Sequence, residues 1–112
     1  MTELSLEVTE VSGSVRLVLR GDLDAASAFA ANHALLELLE SGSDRVILDL
    51  TDLDFMDSTG VKFLIDGRDA ARRVGIELAL AYGEGVVERV ITVSGVASLF
   101  ERWDDDATTG SA

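Results

Sequence analysis

Four carboxylates, Asp49, Asp52, Asp54 and Asp57, and the adjacent hydroxyl pair Ser58 and Thr59 are crowded into one short stretch, DLTDLDFMDSTG. Carboxylates at this density could hold a divalent cation or move protons, and a serine becomes a nucleophile when a base activates it. The rest of the chain supports neither chemistry. His33 is its one histidine, Lys62 its one lysine, and cysteine is absent. That leaves no zinc ligand set, no thiol chemistry and no ready base. No Gly-x-Ser-x-Gly elbow surrounds Ser58. Asp49 closes an aliphatic run and serves as well by bonding to loop backbone. Catalysis is therefore disfavoured, no cofactor or metal is implied, and the chain reads as a non-enzyme. The same stretch is better suited to display. A strand, an acidic loop and a helix start would hold one side chain out at the edge of a sheet.

The elements on either side decide which side chain that is. Val46-Ile47-Leu48 suits a central strand buried on both faces. From Ser58 a helical pattern of about four turns begins. At about 100° per residue, Phe63, Leu64, Gly67, Ala70, Ala71 and Val74 share one face, the expected core face. Thr59 falls near its edge. Ser58 points away from it, on the side of Val61, Lys62 and Ile65, with Arg68 and Arg72 continuing the ridge. Val61 and Ile65 are either scattered surface aliphatics or a partner-binding ridge with Ser58 at its N-terminal end. A homodimer could use that ridge as well as another protein.

Composition narrows the partners. The 112 residues suffice for one domain with a real core, and 47% of them are apolar. Twenty-one acids against nine bases give a formal net charge of −12. Such a balance disfavours nucleic acid and anionic membrane surfaces. No apolar run approaches the roughly 20 residues needed to span a bilayer. The opening MTELSLEV has no basic region followed by an apolar one, so no signal peptide is expected. A cytoplasmic protein follows as the expectation.

In chain order, Leu4, Leu6 and Val8 alternate with polar residues, Ser12-Gly13 supplies a turn, and Val15, Leu17 and Leu19 alternate again. This predicts a β-hairpin. Gly21-Asp22-Leu23-Asp24 is expected to break the second strand. A helix should then run from Ala25 to about Glu40, N-capped by Asp24, with Phe29, Leu35, Leu36, Leu38 and Leu39 as its apolar face. His33 is expected on that helix's surface. The 45–50 strand follows, then the helix at 58–74 ending at a left-handed Gly75. Ile76 to Ala81 is a further buried strand, Tyr82 to Gly85 a loop, and Val86 to Val93 a helix. Ala97 to Trp103 reads as a short last strand. The order β-β-α-β-α-β-α predicts an α/β fold with a mixed sheet of four to five strands, an antiparallel hairpin followed by parallel strands, and helices packed on it. The domain is placed at 1–103, with 104–112 a disordered acidic tail. The loops Gly21–Asp24, Asp54–Thr59 and Tyr82–Gly85 should meet at one sheet edge.

These residues resemble a known family. Gly-Asp-Leu-Asp at 21–24, Val-Ile-Leu-Asp-Leu at 46–50 and Phe-Met-Asp-Ser-Thr-Gly at 55–60 are similar to the STAS domain of bacterial anti-sigma factor antagonists. Val-Ile-Thr-Val-Ser-Gly-Val-Ala-Ser-Leu-Phe at 90–100 is similar to that family's third helix and following turn. The resemblance spans residues 4 to 103. It implies a partner switch in which the unphosphorylated protein binds an anti-sigma factor serine kinase and releases the sigma factor. The kinase would phosphorylate Ser58, and a serine/threonine phosphatase would restore the active form. Asp22, Asp24, Asp57, Thr59, Gly60, Val61, Lys62 and Ile65 would form the partner surface. Without the resemblance, Asp22 and Asp24 read as turn and cap residues, Asp57 as a plain N-cap and Gly60 as merely permissive. The alternative function is a STAS-type scaffold or sensor subunit, with nucleotide bound through Gly83-x-Gly85, that serine phosphorylation never switches.

Overall fold

The computed structural model describes residues 2–103. Strands β1 (Ser5–Val11) and β2 (Ser14–Leu23) form the antiparallel hairpin, with Val11 opposite Ser14. Ser12 and Gly13 both have positive φ, 48° and 84°. That is the primed turn whose twist matches paired strands. Strands β3 (Arg45–Asp49) and β5 (Glu77–Ala81) then run parallel to β2 and to each other. A two-residue strand β6 (Glu101–Arg102) closes the order β1-β2-β3-β5-β6. The expected last strand at 97–103 is thus mostly a 3₁₀ turn (Val96–Leu99), with only its end in the sheet. The expected tail at 104–112 lies outside the described residues.

A further strand, β4 (Leu53–Met56), occupies what reads in sequence as part of the acidic loop. It lies parallel to the end of β2, pairing Leu53 with Gly21 and Met56 with Leu23. Gly21 therefore bends β2 instead of ending it. The register shifts between Gly21 and Asp22, and Gly21 has φ 98°. A Cβ there would collide with the Glu3 carbonyl, so glycine is required for this bulge.

Helices α1 (Ala28–Leu39), α2 (Ser58–Arg73) and α3 (Val86–Val93) contribute to one core. Leu17, Leu19, Val46, Leu48, Leu78 and Leu80 of the sheet meet Leu35, Phe63, Leu64, Val87 and Ile91 of the helices there. Gly67 lets α2 approach Leu35 of α1 closely. Four expectations about burial change, the first being Leu36, which is exposed and not part of the buried face of α1. α1 begins at Ala28 and buries Ala31, Leu35 and Leu39, which puts Phe29 off the stripe and leaves it 82% exposed. Val74 is 58% exposed because it caps α2 beyond the last packed turn. Val8, on the edge strand, is exposed as well. Past Val74, Gly75 (φ 74°) and the bond from Ile76 N–H to the Ala71 carbonyl form the expected left-handed helix end.

The sheet's other face is closed differently. Val18, Ile47 and Ala79 are buried but stand outside the helix-side cluster. By strand alternation they share their face with Arg16, Asp49, Arg45 and Glu77. Arg16 lies 3.7 Å from Asp49, and Arg45 lies 2.8 Å from Glu77 and 5.4 Å from the Trp103 ring centre. Long arginine stems lying over the strands explain how Ile47 reaches 0% exposure on that face. Glu77 and Glu101 share a hydrogen bond there, which lowers the pKa of Glu77 and raises that of Glu101 from their ordinary values.

Candidate functional site

Asp57 caps α2. Its backbone is extended (φ −111°, ψ −165°), and its Oδ1 accepts from the Thr59 N–H at 2.9 Å. The Asp57 carbonyl takes the Gly60 and Val61 N–H groups at 3.0 and 3.2 Å. Two of the helix's orphan donors, Thr59 and Gly60 N–H, are thereby satisfied, and the Val61 bond is the first of the regular helix ladder. Ser58 becomes the first helical residue, exposed, and its hydroxyl makes no hydrogen bond among the described residues. Thr59, about 100° further round, is half-buried. Gly60 is buried, and a Cβ there would strike the Met56 side chain and press within 3.2 Å of Leu23. Its close approach is to β4 and β2 inside the protein.

Two grooves flank this helix end. The one on the α3 side, of about 410 Å³, is lined by Asp57, Ser58, Val61, Arg89, Val90, Val93 and Ser94. The one on the α1 side, of about 200 Å³, is lined by Phe29, Asn32, Thr59, Lys62, Phe63 and Asp66, among others. The single ridge drawn on the helical wheel is thus divided. Val61 is half-buried and packs against the edge of the core beside Ser58. Lys62 turns to the other groove and binds Asp66 at 2.6 Å. Ile65 remains exposed at 38%.

The acidic residues are dispersed. Asp22 Oδ2 accepts from the Thr2 N–H at 3.1 Å. Asp24 Oδ1 accepts from Ala26 N–H at 3.0 Å and Ser27 N–H at 3.2 Å, so it orders the turn before α1, whose own N-cap is Ser27. Because Leu23 pairs with Met56, Asp24 and Asp57 leave neighbouring strand ends, linked by Asp57 N–H to the Leu23 carbonyl at 3.4 Å. Asp49 pairs with Arg16, and Asp52 lies 3.7 Å from Arg20. Among the described residues no three His, Cys, Asp or Glu side chains converge as metal ligands. His33 is exposed and bonds Glu37 at 2.8 Å.

Residues that sequence reasoning passed over complete the α3-side groove. Val93, 80% exposed, and Arg89 sit on the outer side of α3, whose inner side buries Val87 and Ile91. The sequence signal was present, since Val86 to Val93 carries more valines than one buried stripe can use. Among the described residues three arginines, Arg72, Arg73 and Arg89, make no hydrogen bond or ion pair, and Arg89 is the one that lines this groove. Arg16, Arg20, Arg45 and Lys62 are ion-paired, and Arg68 and Arg102 bond backbone carbonyls at 2.8 Å. The Arg89 side chain has no partner among the described residues.

The family follows from this fold and from a direct match. The sequence profile of the STAS domain matches residues 5–109, and the chain belongs to that family. A Bordetella bronchiseptica protein named as an anti-sigma factor antagonist, BtrV, is 29% identical over 97 residues, which are 87% of this chain and 84% of that protein. The fold is similar to that of an anti-sigma factor antagonist from Mycobacterium paratuberculosis, with a TM-score of 0.84, 20% identity and 96% and 93% of the two chains covered. It is also similar to SpoIIAA in its unphosphorylated form (TM-score 0.75, 20% identity, 94% and 93% covered). For the phosphorylated form from Bacillus the TM-score is 0.68, with 18% identity and 96% and 98% covered. No helix among the described residues is long and apolar enough to cross a membrane.

Proposed function

We propose that this chain is an anti-sigma factor antagonist whose unphosphorylated form binds an anti-sigma factor serine kinase and releases the sigma factor. Phosphorylation of Ser58 switches that binding off. The observation that carries the reading is an exposed, unbonded Ser58 hydroxyl at the first position of α2, opening onto an apolar groove. The kinase would transfer the γ-phosphoryl group of ATP to Ser58 Oγ, which loses its proton as ADP departs. A serine/threonine phosphatase would hydrolyse the ester. Val61 and Ile65 supply the apolar contact and Thr59 and Lys62 its rim. Asp57 and Gly60 set the helix end in place, and Asp22 and Asp24 shape the neighbouring turn. The phosphate adds about −1.5 to −2 charges beside Asp57. The helix N-terminus tolerates that charge locally. A partner surface matched to a neutral hydroxyl does not, so exclusion needs no refolding.

The test is intact mass with fragment mapping on protein from its native cells, beside a Ser58→Ala control. A gain of about 80 Da confined to Ser58, with the purified kinase binding only the unmodified form, is the expected result. No modification under any growth condition, with Ser58→Ala cells behaving normally, would replace the switch with an unswitched scaffold.

A further inference from the structure

We propose that Arg89 hydrogen-bonds the phosphate carried on Ser58 Oγ and, once held, folds over the groove between α2 and α3 as a latch. The inference rests on Ser58 being the modified residue and adds what the modification does within the protein. Ser58 on α2 and Arg89 on α3 line the same groove, and Val61, Val90 and Val93 give it its apolar surface. Arginine is the side chain best matched to a phosphate, because its planar fork donates two parallel hydrogen bonds to two oxygens. The other cations are held or distant. Lys62 faces the opposite groove and is engaged by Asp66, and Arg68 donates to the Leu99 carbonyl. Arg72 and Arg73, at the far end of α2, are about 20 Å away along the helix axis.

Two groups oppose the latch. Asp57 lines the groove beside Ser58, and Glu88 adjoins Arg89 on α3. One Asp57 oxygen, Oδ1, is engaged by the Thr59 N–H, which commits part of that carboxylate to the helix end. In the unmodified protein Arg89 has nothing to hold, and the valine lining is open. In the phosphorylated protein the guanidinium bridges the groove mouth and covers apolar surface that a partner would use. Phosphorylation then acts twice, by charge at the helix end and by closing the groove.

The experiment uses the full chain with phosphoserine encoded genetically at position 58, so that no kinase is needed. Its phosphate is titrated by phosphorus NMR, and the arginine Nε–H region is recorded by nitrogen-edited NMR. A protected Arg89 Nε–H resonance should appear only in the phosphorylated protein. Arg89→Gln should raise the second ionisation of the phosphate by about half a unit to one unit, and Lys62→Gln should leave it in place. Matching amide spectra of unmodified wild type and Arg89→Gln confirm that the variant folds. Identical phosphate titrations in wild type and Arg89→Gln, absence of the Nε–H signal, or a shift produced by Lys62→Gln instead would overturn the latch. If cells never modify Ser58, the switching function fails while this measurement stands. If cells do modify it and Arg89 does not respond, only the latch fails.

Discussion

The two flanks of α2 begin from the same two residues and end in opposite chemistry. Ser58 and Thr59 are adjacent in sequence but about 100° apart on the helix, so each hydroxyl opens onto its own groove. On the α1 side Thr59 is half-buried, Lys62 is tied to Asp66, and an exposed Phe29 forms part of the wall. On the α3 side Ser58 is exposed, the apolar lining is valine, and Arg89 is unpartnered among the described residues. The difference teaches that helix rotation, more than hydroxyl chemistry, decides which residue an outside protein can reach. It also separates a settled surface from one with an unused cation and uncovered apolar area. The largest expected effect tests this asymmetry directly. Ser58→Asp should weaken binding to the purified cognate kinase by on the order of a hundredfold, because a desolvated like charge or unpaired carboxylate is expensive at an interface. Thr59→Val should change the affinity by less than about threefold, a difference too small to mark a buried contact. Calorimetric titration decides between them, and equal losses at the two positions would erase the distinction between the flanks.

Next in size is a substitution that should damage both flanks together. Gly60→Ala puts a methyl group against the buried Met56 side chain and Leu23. Overpacking of this kind costs about 1–3 kcal/mol, readable as a lower urea midpoint with an unchanged slope. Both grooves depend on how closely this helix end seats on β4. A stability-neutral Gly60→Ala would show that the seating is not what holds them apart. Asp57→Ala removes the acceptor of the Thr59 N–H and should cost about 1 kcal/mol. It should also broaden the amide signals of Ser58 and Thr59 alike, since one cap presents both.

Much of this arrangement was legible in the sequence, and the parts that were not share a physical cause. Hydrophobic period and turn chemistry disclose the hairpin, the buried 45–50 strand, α2 and its Gly75 end. They also turn Ser58 away from the core. β4 was hidden because its four residues bury only Leu53 and Met56, too short a pattern to stand out among aspartates. Phe29 was misassigned because it shares a helix face with Leu36, and the stripe that packs is the one through Ala31, Leu35 and Leu39. The wheel of α2 placed Val61 and Lys62 on one ridge because a wheel contains one helix. What divides them is the packing of α1 on one side and α3 on the other, a tertiary fact. Arg89 could not be seen as the unpartnered cation beside Ser58 before Lys62 and Arg68 had been given their partners and Arg72 and Arg73 placed at the far end of α2.

The smallest effect isolates those cations. Lys62→Gln removes an i,i+4 ion pair whose side chains are 74% and 52% exposed. Exposed helical pairs contribute only about 0.3–0.5 kcal/mol, so the urea midpoint should fall slightly at low salt and hardly at all at high salt, where screening has already removed the attraction. Arg89→Gln removes a charge with no partner among the described residues and should leave the midpoint of the unphosphorylated protein unchanged at either salt concentration. The contrast should reverse in protein carrying phosphoserine at 58. There Arg89→Gln should lower the midpoint, because the guanidinium has acquired a phosphate to hold. Lys62→Gln should cost only what it did before. A midpoint that ignores Arg89 in both states would mean that the two flanks differ in exposure alone, and that the free arginine is one more solvated charge.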